Sequence, residues 1–277
     1  GFFAANLVLG GQSLAAIAPW LSVDGGIILV GIASVLATIF GYRLIHAYTR
    51  ILTYVSGLAL VVSFIWIIFV HGIPAKFGSE GTFTWSGFMG VVAVAALWQI
   101  AYAPYVSDYS RYLPADTAPS TTFRWTFWGS ALGGGWLTLL GAYLAASVKD
   151  FNASDPITAI RGVADSLFPG FGTIALLVIA FGLIAVMVLN MYGGSLTLIS
   201  SIDSLRKIRP TLTVRVVTVA ITAAISGVLA LFASTNFAST FQNFLLLVLY
   251  FFIPWTAVNL TDYFIVRKGQ YAIAEIF

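Results

Sequence analysis

Cysteine is absent from the 277 residues, which excludes a disulfide framework, a thiolate metal site and a Cys nucleophile. Histidine is nearly absent too: His46 and His71 stand far apart and offer no metal-ligand spacing. Charged residues make up 8% of the chain, against about a quarter in a soluble globular domain, so a water-soluble surface is excluded. The 13 basic and 10 acidic residues leave a net charge of +3, too little to build a nucleic-acid face. There is no phosphate-cradling Gly loop, no paired His and no Ser-centred elbow with a base, so nothing marks an enzyme or a resident cofactor. What the chain does have is apolar residues, 60% of the total, and 26 glycines. This composition reads as an all-α polytopic membrane protein.

A bilayer core of about 30 Å needs about 20 apolar residues per helix. Eight stretches qualify, at roughly 2–18, 27–42, 52–70, 88–105, 125–148, 171–199, 214–232 and 244–266. The runs are continuous rather than alternating, which disfavours a membrane barrel. Connections are short, so residues 1–277 read as a single transmembrane domain.

Loop charges set the orientation. One set of alternate connections holds Arg43, Arg50, Arg111, Arg124, Arg206, Lys207, Arg209, Arg215, Arg267 and Lys268. The opposite set holds only Lys76, Lys149 and Arg161. The first set is therefore expected to be cytoplasmic, and the first helix to run outward. Gly1 is no initiator Met and the chain stops soon after a basic pair, so a fragment of a longer transporter-like chain is expected. Compact loops suggest a multi-pass protein of a bacterial inner membrane.

Polar groups at membrane depth are expensive, and each invites a functional reading. The first span carries Asn6, Gly10, Gly11 and Gln12, which serve either helix packing or a ligand. The sixth carries Asn190, Gly193 and Gly194, again an Asn one turn before a Gly pair. These spans lie five apart with opposite orientation, the relation expected of an inverted repeat. In the fourth span Pro104 lacks an N–H and should kink or unwind the helix, beside Trp98, Tyr102 and Tyr105. Asp108 and Arg111, three apart, are expected to pair at the cytoplasmic end. Pro254 and the polar run Asn259 to Tyr263 predict another kinked span.

The string Pro104-Tyr105-Val106-Ser107-Asp108-Tyr109-Ser110-Arg111-Tyr112 resembles the end of the sixth helix in the nucleobase–cation symporter family, cytosine/purine permease type. Asn190-Met191-Tyr192 looks like that family's eighth-helix signature, and Gly1 to Asn6 is similar to its third-helix start. The resemblance implies helices three to ten of a five-plus-five inverted-repeat (LeuT-like) transporter fold, truncated at both ends. It implies a secondary active transporter that imports a nucleobase, cytosine or a purine, by H⁺ or Na⁺ symport. Phe2 would stack on one face of a small heterocyclic substrate, and Asn6 would hydrogen-bond the ring. Counting back from Asp108 puts Gln99 at the second stacking position, so either Trp98 or Tyr102 stacks or Gln99 reads an edge. Asn190 would make the principal amide contact, since an Asn offers both a donor and an acceptor to the N–H/C=O edge of a base. Sodium-driven members use eighth-helix oxygens, but Phe181, Ile184 and Ala185 carry none, which favours proton coupling. Uracil, allantoin, hydantoin or a thiamine precursor are alternative substrates, and a passive channel or scaffold is the alternative class.

Overall fold

The computed structural model describes residues 1–40, 42–72, 82–110, 113–114, 116–148, 150–209 and 211–270. The side chains of His46, His71 and Asp108 fall outside that description, as does Arg111, and with them the expected Asp108–Arg111 pair. Among the described residues the chain forms α1 (Phe2–Ile17), α2 (Val23–Phe40), α3 (Tyr42–His71), α4 (Trp85–Ser110), α5 (Pro119–Ser147), α6 (Pro156–Asp165), α7 (Phe171–Leu205), α8 (Leu212–Ala233) and α9 (Phe237–Leu260). A 3-10 turn at Ser234–Asn236 joins α8 to α9, and a π-helical segment, Thr261–Val266, extends α9. Among the described residues, each apolar run expected to span falls on a helix, apart from its ends.

Among the described residues three stretches are long and apolar enough to cross a membrane: Trp85–Ser107, Phe171–Leu205 and Leu212–Val266. The apolar helices Phe2–Ile17 and Val23–Ile39 are shorter. At 16 residues α1 is about 24 Å long, short of a bilayer core of about 30 Å. Side chains such as Ile28, Ile32 and Leu36 on α2, or Ile221, Ile225 and Val228 on α8, are exposed. Stripes of that kind are stable against lipid rather than water.

The helix α6 was not expected, because the apolar pattern alone marks its segment as a loop. Its local signal is Asp155-Pro156: the aspartate accepts from Thr158 N at the N-cap and the proline occupies the first turn, where its missing N–H is harmless. Asp165 then caps α7, its Oδ1 accepting from Gly172 N at 2.7 Å and Gly170 N at 3.2 Å. Two bonds tie this region to α1. Gln12 Nε2 donates to the Ser154 carbonyl at 2.7 Å, and Arg161 donates to the Ala16 carbonyl at the end of α1.

Neither proline ends its helix. At Pro104 the helix does not unwind: α4 continues through it to Ser110. A proline lacks one N–H and so releases one carbonyl, that of Ile100, while the turns on either side remain bonded. Ser107 Oγ also donates to the Pro104 carbonyl at 2.9 Å, tightening the following turn. Pro254 likewise lies inside α9, and the departure from α geometry comes later, where Arg267 N donates to Asp262 O.

The chain divides into two compact units. One comprises Gly1–Phe77 and Tyr143–Phe241, the other Gly78–Ala142 and Gln242–Phe277. The first has the hydrophobic core, where Phe3, Leu7 and Val8 of α1 meet Ile27 and Val30 of α2, Met187 and Met191 of α7, and Val219 of α8. Glycines let α1 and α2 approach closely. A Cβ on Gly11 would lie 2.7 Å from the Val23 carbonyl oxygen and 2.8 Å from Ile27 N.

Candidate binding site

Of the predicted site residues, Phe2, Asn6 and Asn190 belong to the first unit. Asn6 and Asn190 are half-buried on α1 and α7, two helices that pack together. Their sequence neighbours Leu7 and Met191 are part of the core that α1 and α7 share. Asn190 lies near the middle of the 35-residue α7, the depth at which carriers bind their substrates. Phe2 meets the edge of Phe241, with ring centroids 6.4 Å apart at 76°. Phe241 in turn stacks on Phe237 at 5.5 Å. That aromatic pair was not singled out in the sequence, because two phenylalanines four apart on an apolar helix look like any core face.

Gln12 is buried, and its amide serves the tether to Ser154, which is a structural role. Its Oε1 has no partner among the described residues. The glycines beside the two asparagines also pack helices. Gly11 lies on α2, and Gly194 faces Thr222 of α8, with a Cβ there meeting the Thr222 methyl at 3.0 Å.

Trp98, Gln99 and Tyr102 belong to the second unit. Trp98, Tyr102 and Tyr105 recur at helical spacing and form a ladder of near-parallel rings. Centroids are 6.1 Å apart at 8° for the first pair and 6.2 Å apart at 18° for the second. Gln99, one residue on, is turned about 100° away from Trp98 and is exposed. Trp98 and Tyr102 line a cleft of about 600 Å³ between α4 and α5, and Gln99 does not. Gly134 of α5 receives the Trp98 indole: a Cβ there would lie 2.7 Å from the ring.

The facing wall of the cleft carries Thr122, Trp125, Thr126 and Ser130 of α5. No charged side chain is among its described lining residues. Flat aromatic surface with a few hydroxyls suits an uncharged, planar, hydrogen-bonding molecule, and the volume is that of a small-ligand site. Sequence reasoning passed over α5. The available signal was the series Thr122, Thr126 and Ser130 at intervals of four, beside Gly129, Gly133 and Gly134.

Long apolar helices with lipid-compatible faces define a membrane protein. The chain belongs to the family described as "Permease for cytosine/purines, uracil, thiamine, allantoin", which matches residues 4–277. It is 36% identical over its whole length to a Bacillus subtilis (strain 168) protein called "Putative purine-cytosine permease YxlA", covering 59% of that protein. It is 27% identical to purine-cytosine permease fcyB of Emericella nidulans, over 97% of this chain and 53% of the relative. Vitamin B6 transporter TPN1 of Saccharomyces cerevisiae is 24% identical over 72% of this chain and 36% of its own length. The chain thus spans little more than half the length of the two permeases and about a third of the vitamin B6 transporter. No solved structure matches it. Family and relatives are permeases, not enzymes.

Proposed function

We propose that the protein carrying this chain is a secondary active transporter that imports a nucleobase, cytosine or a purine, by cation symport with alternating access. The family match over residues 4–277 carries this reading. Two half-buried asparagines on helices that pack together support it, because an Asn amide complements the N–H/C=O edge of a base. Phe2 and Asn6 contact the base from α1, and Asn190 reads its edge from α7.

A five-plus-five inverted repeat accounts for a recurring device. In α1 and α7 alike, an Asn precedes a Gly pair, and one of those glycines packs on the next long helix, Gly11 on α2 and Gly194 on α8. We take the chain as helices three to ten of that fold, crossing the membrane of a bacterial cell several times with its basic loops inside. Proton coupling is favoured over sodium, because Phe181, Ile184 and Ala185 bring no side-chain oxygen to the position where sodium would need one.

The test is uptake of labelled cytosine by cells lacking their own permeases and expressing the full-length protein. Excess adenine, hypoxanthine, uracil, allantoin or pyridoxine competes, with and without a protonophore. Saturable uptake suppressed by a nucleobase and by the protonophore is expected. Suppression by allantoin, uracil or pyridoxine alone moves the substrate within the family. Non-saturable flux independent of any ion gradient replaces the carrier with a channel.

A further inference from the structure

The connection between α7 and α8 carries a charge pattern that transport of an uncharged base does not use. Residues 206–209 and Thr211, as described, lie between two helical stretches, each long and apolar enough to cross a bilayer. The helices pack side by side, Ser195 Oγ lying 2.6 Å from Thr218 Oγ1 in the buried seam. From Asn190, near the middle of α7, the fifteen residues to Leu205 rise about 22 Å, more than half a hydrocarbon core of about 30 Å, so the connection lies outside the hydrocarbon.

Arg206, Lys207 and Arg209 all lie exposed on this connection, and Arg215 follows in the first turn of α8. The adjacent carboxylate, Asp203, is turned inward to the backbone, its Oδ1 accepting from Ile208 N at 2.8 Å. A second bond, from Thr211 N to Arg209 O at 2.8 Å, tightens the connection. Thr211 Oγ1 caps α8 by accepting from Val214 N. The cations therefore stand on an ordered turn, with no ion pair to them from any described residue. Two exposed leucines flank them: Leu205 at 91% and Leu212 at 67% exposure. These leucines carry the apolar helix faces right up to the cationic turn.

We propose that this turn is a binding site for an anionic phospholipid. The headgroup phosphate lies among Arg206, Lys207 and Arg209, and the acyl chains run down over Leu205 and Leu212 onto the apolar faces of α7 and α8. The cations complement the phosphate charge, and the leucines select a lipid over a free phosphate, which has nothing to lay on them. Such a lipid pins the α7 end at a fixed depth, and with it the helix that carries Asn190.

The experiment uses the purified full-length protein in micelles and a fluorescent phosphatidylglycerol, with phosphatidylcholine and inorganic phosphate as comparison probes. Phosphatidylglycerol binds and phosphatidylcholine does not, binding weakens with added salt, and millimolar inorganic phosphate fails to displace the lipid. The variant Arg206→Gln/Lys207→Gln/Arg209→Gln binds phosphatidylglycerol roughly a hundredfold more weakly at low salt. Leu205→Ser/Leu212→Ser weakens it as well, and the charge-conserving Arg206→Lys/Arg209→Lys keeps it. A variant losing the same charge elsewhere, Arg50→Gln/Arg124→Gln/Lys268→Gln, binds as the parent does. Unchanged binding by the turn variant, equal loss in the control variant, or displacement by phosphate overturns the proposal. Should the triple variant fail to fold, loss of binding in the charge-conserving variant, or none in the leucine variant, overturns it equally.

Discussion

Gly11 and Gly26 meet backbone to backbone: a Cβ built on Gly26 would lie 2.6 Å from the Gly11 carbonyl oxygen and 2.8 Å from its Cα. Nothing flexible stands between the two helices there, so no side-chain rotation can make room. Gly26→Ala is expected to push α2 off α1 and destabilise the protein by about 1–3 kcal/mol, the usual range for overpacking. Gly31, whose Cβ would meet only a Leu7 methyl at 3.5 Å, should accept alanine with little change. Thermal unfolding of the two variants in the same detergent separates close backbone approach from a general dislike of larger residues on α2.

Asn190 sits at mid-helix, half-buried beside Met191 of the core. Asn190→Ala is expected to remove saturable uptake, because a base edge without its amide partner loses about 1–3 kcal/mol, or ten- to a hundredfold in apparent affinity. Surface biotinylation should find the variant at the membrane at the parent level. Uptake with unaltered KM would remove Asn190 from the site.

The Trp98 indole lies on Gly134 across the α4–α5 cleft. Gly134→Ala should displace the ring and raise the KM for uptake while leaving expression intact, whereas Gly135→Ala, with open space at its Cβ, should not. Equal effects from the two alanines would mean that Trp98 does not depend on this contact.

Asp165 both pairs with Arg161, at 3.7 Å, and caps α7. The ion pair is partly exposed and its geometry is loose, so it contributes little. The cap satisfies two helix N-terminal N–H groups and dominates. Asp165→Asn, which keeps an acceptor, should melt close to the parent. Asp165→Ala should lose about 1 kcal/mol, the ordinary value of a cap. Scanning calorimetry at low and high salt checks both expectations, and strong salt dependence in the parent would restore the ion pair to first importance.

How far the site was legible follows from the kind of signal each residue leaves. Trp98, Tyr102 and Tyr105 fall at helical spacing, and a helical face was all that was needed to stack them. The Gly11 contact was foreseeable as close packing, although its partner was not. The cap at Asp155-Pro156 was readable but was masked by the low hydropathy of the segment. The α5 hydroxyls and Phe241 were passed over because Thr, Ser and Phe on an apolar helix carry no distinguishing pattern until a neighbouring wall is known.

The helical class, the positions of the apolar helices and the family were determined by the sequence alone, because apolarity and a nine-residue string are properties of contiguous chain. Only the tertiary structure decided that α4 passes through Pro104 intact, that Gln12 is committed to Ser154, and that Phe2 and Trp98 belong to different compact units. These outcomes depend on contacts between residues far apart in the chain. A proline in an apolar helix reads the same whether its neighbours hold the helix straight or let it open. A buried amide likewise reads the same whether a carbonyl or a ligand lies opposite it.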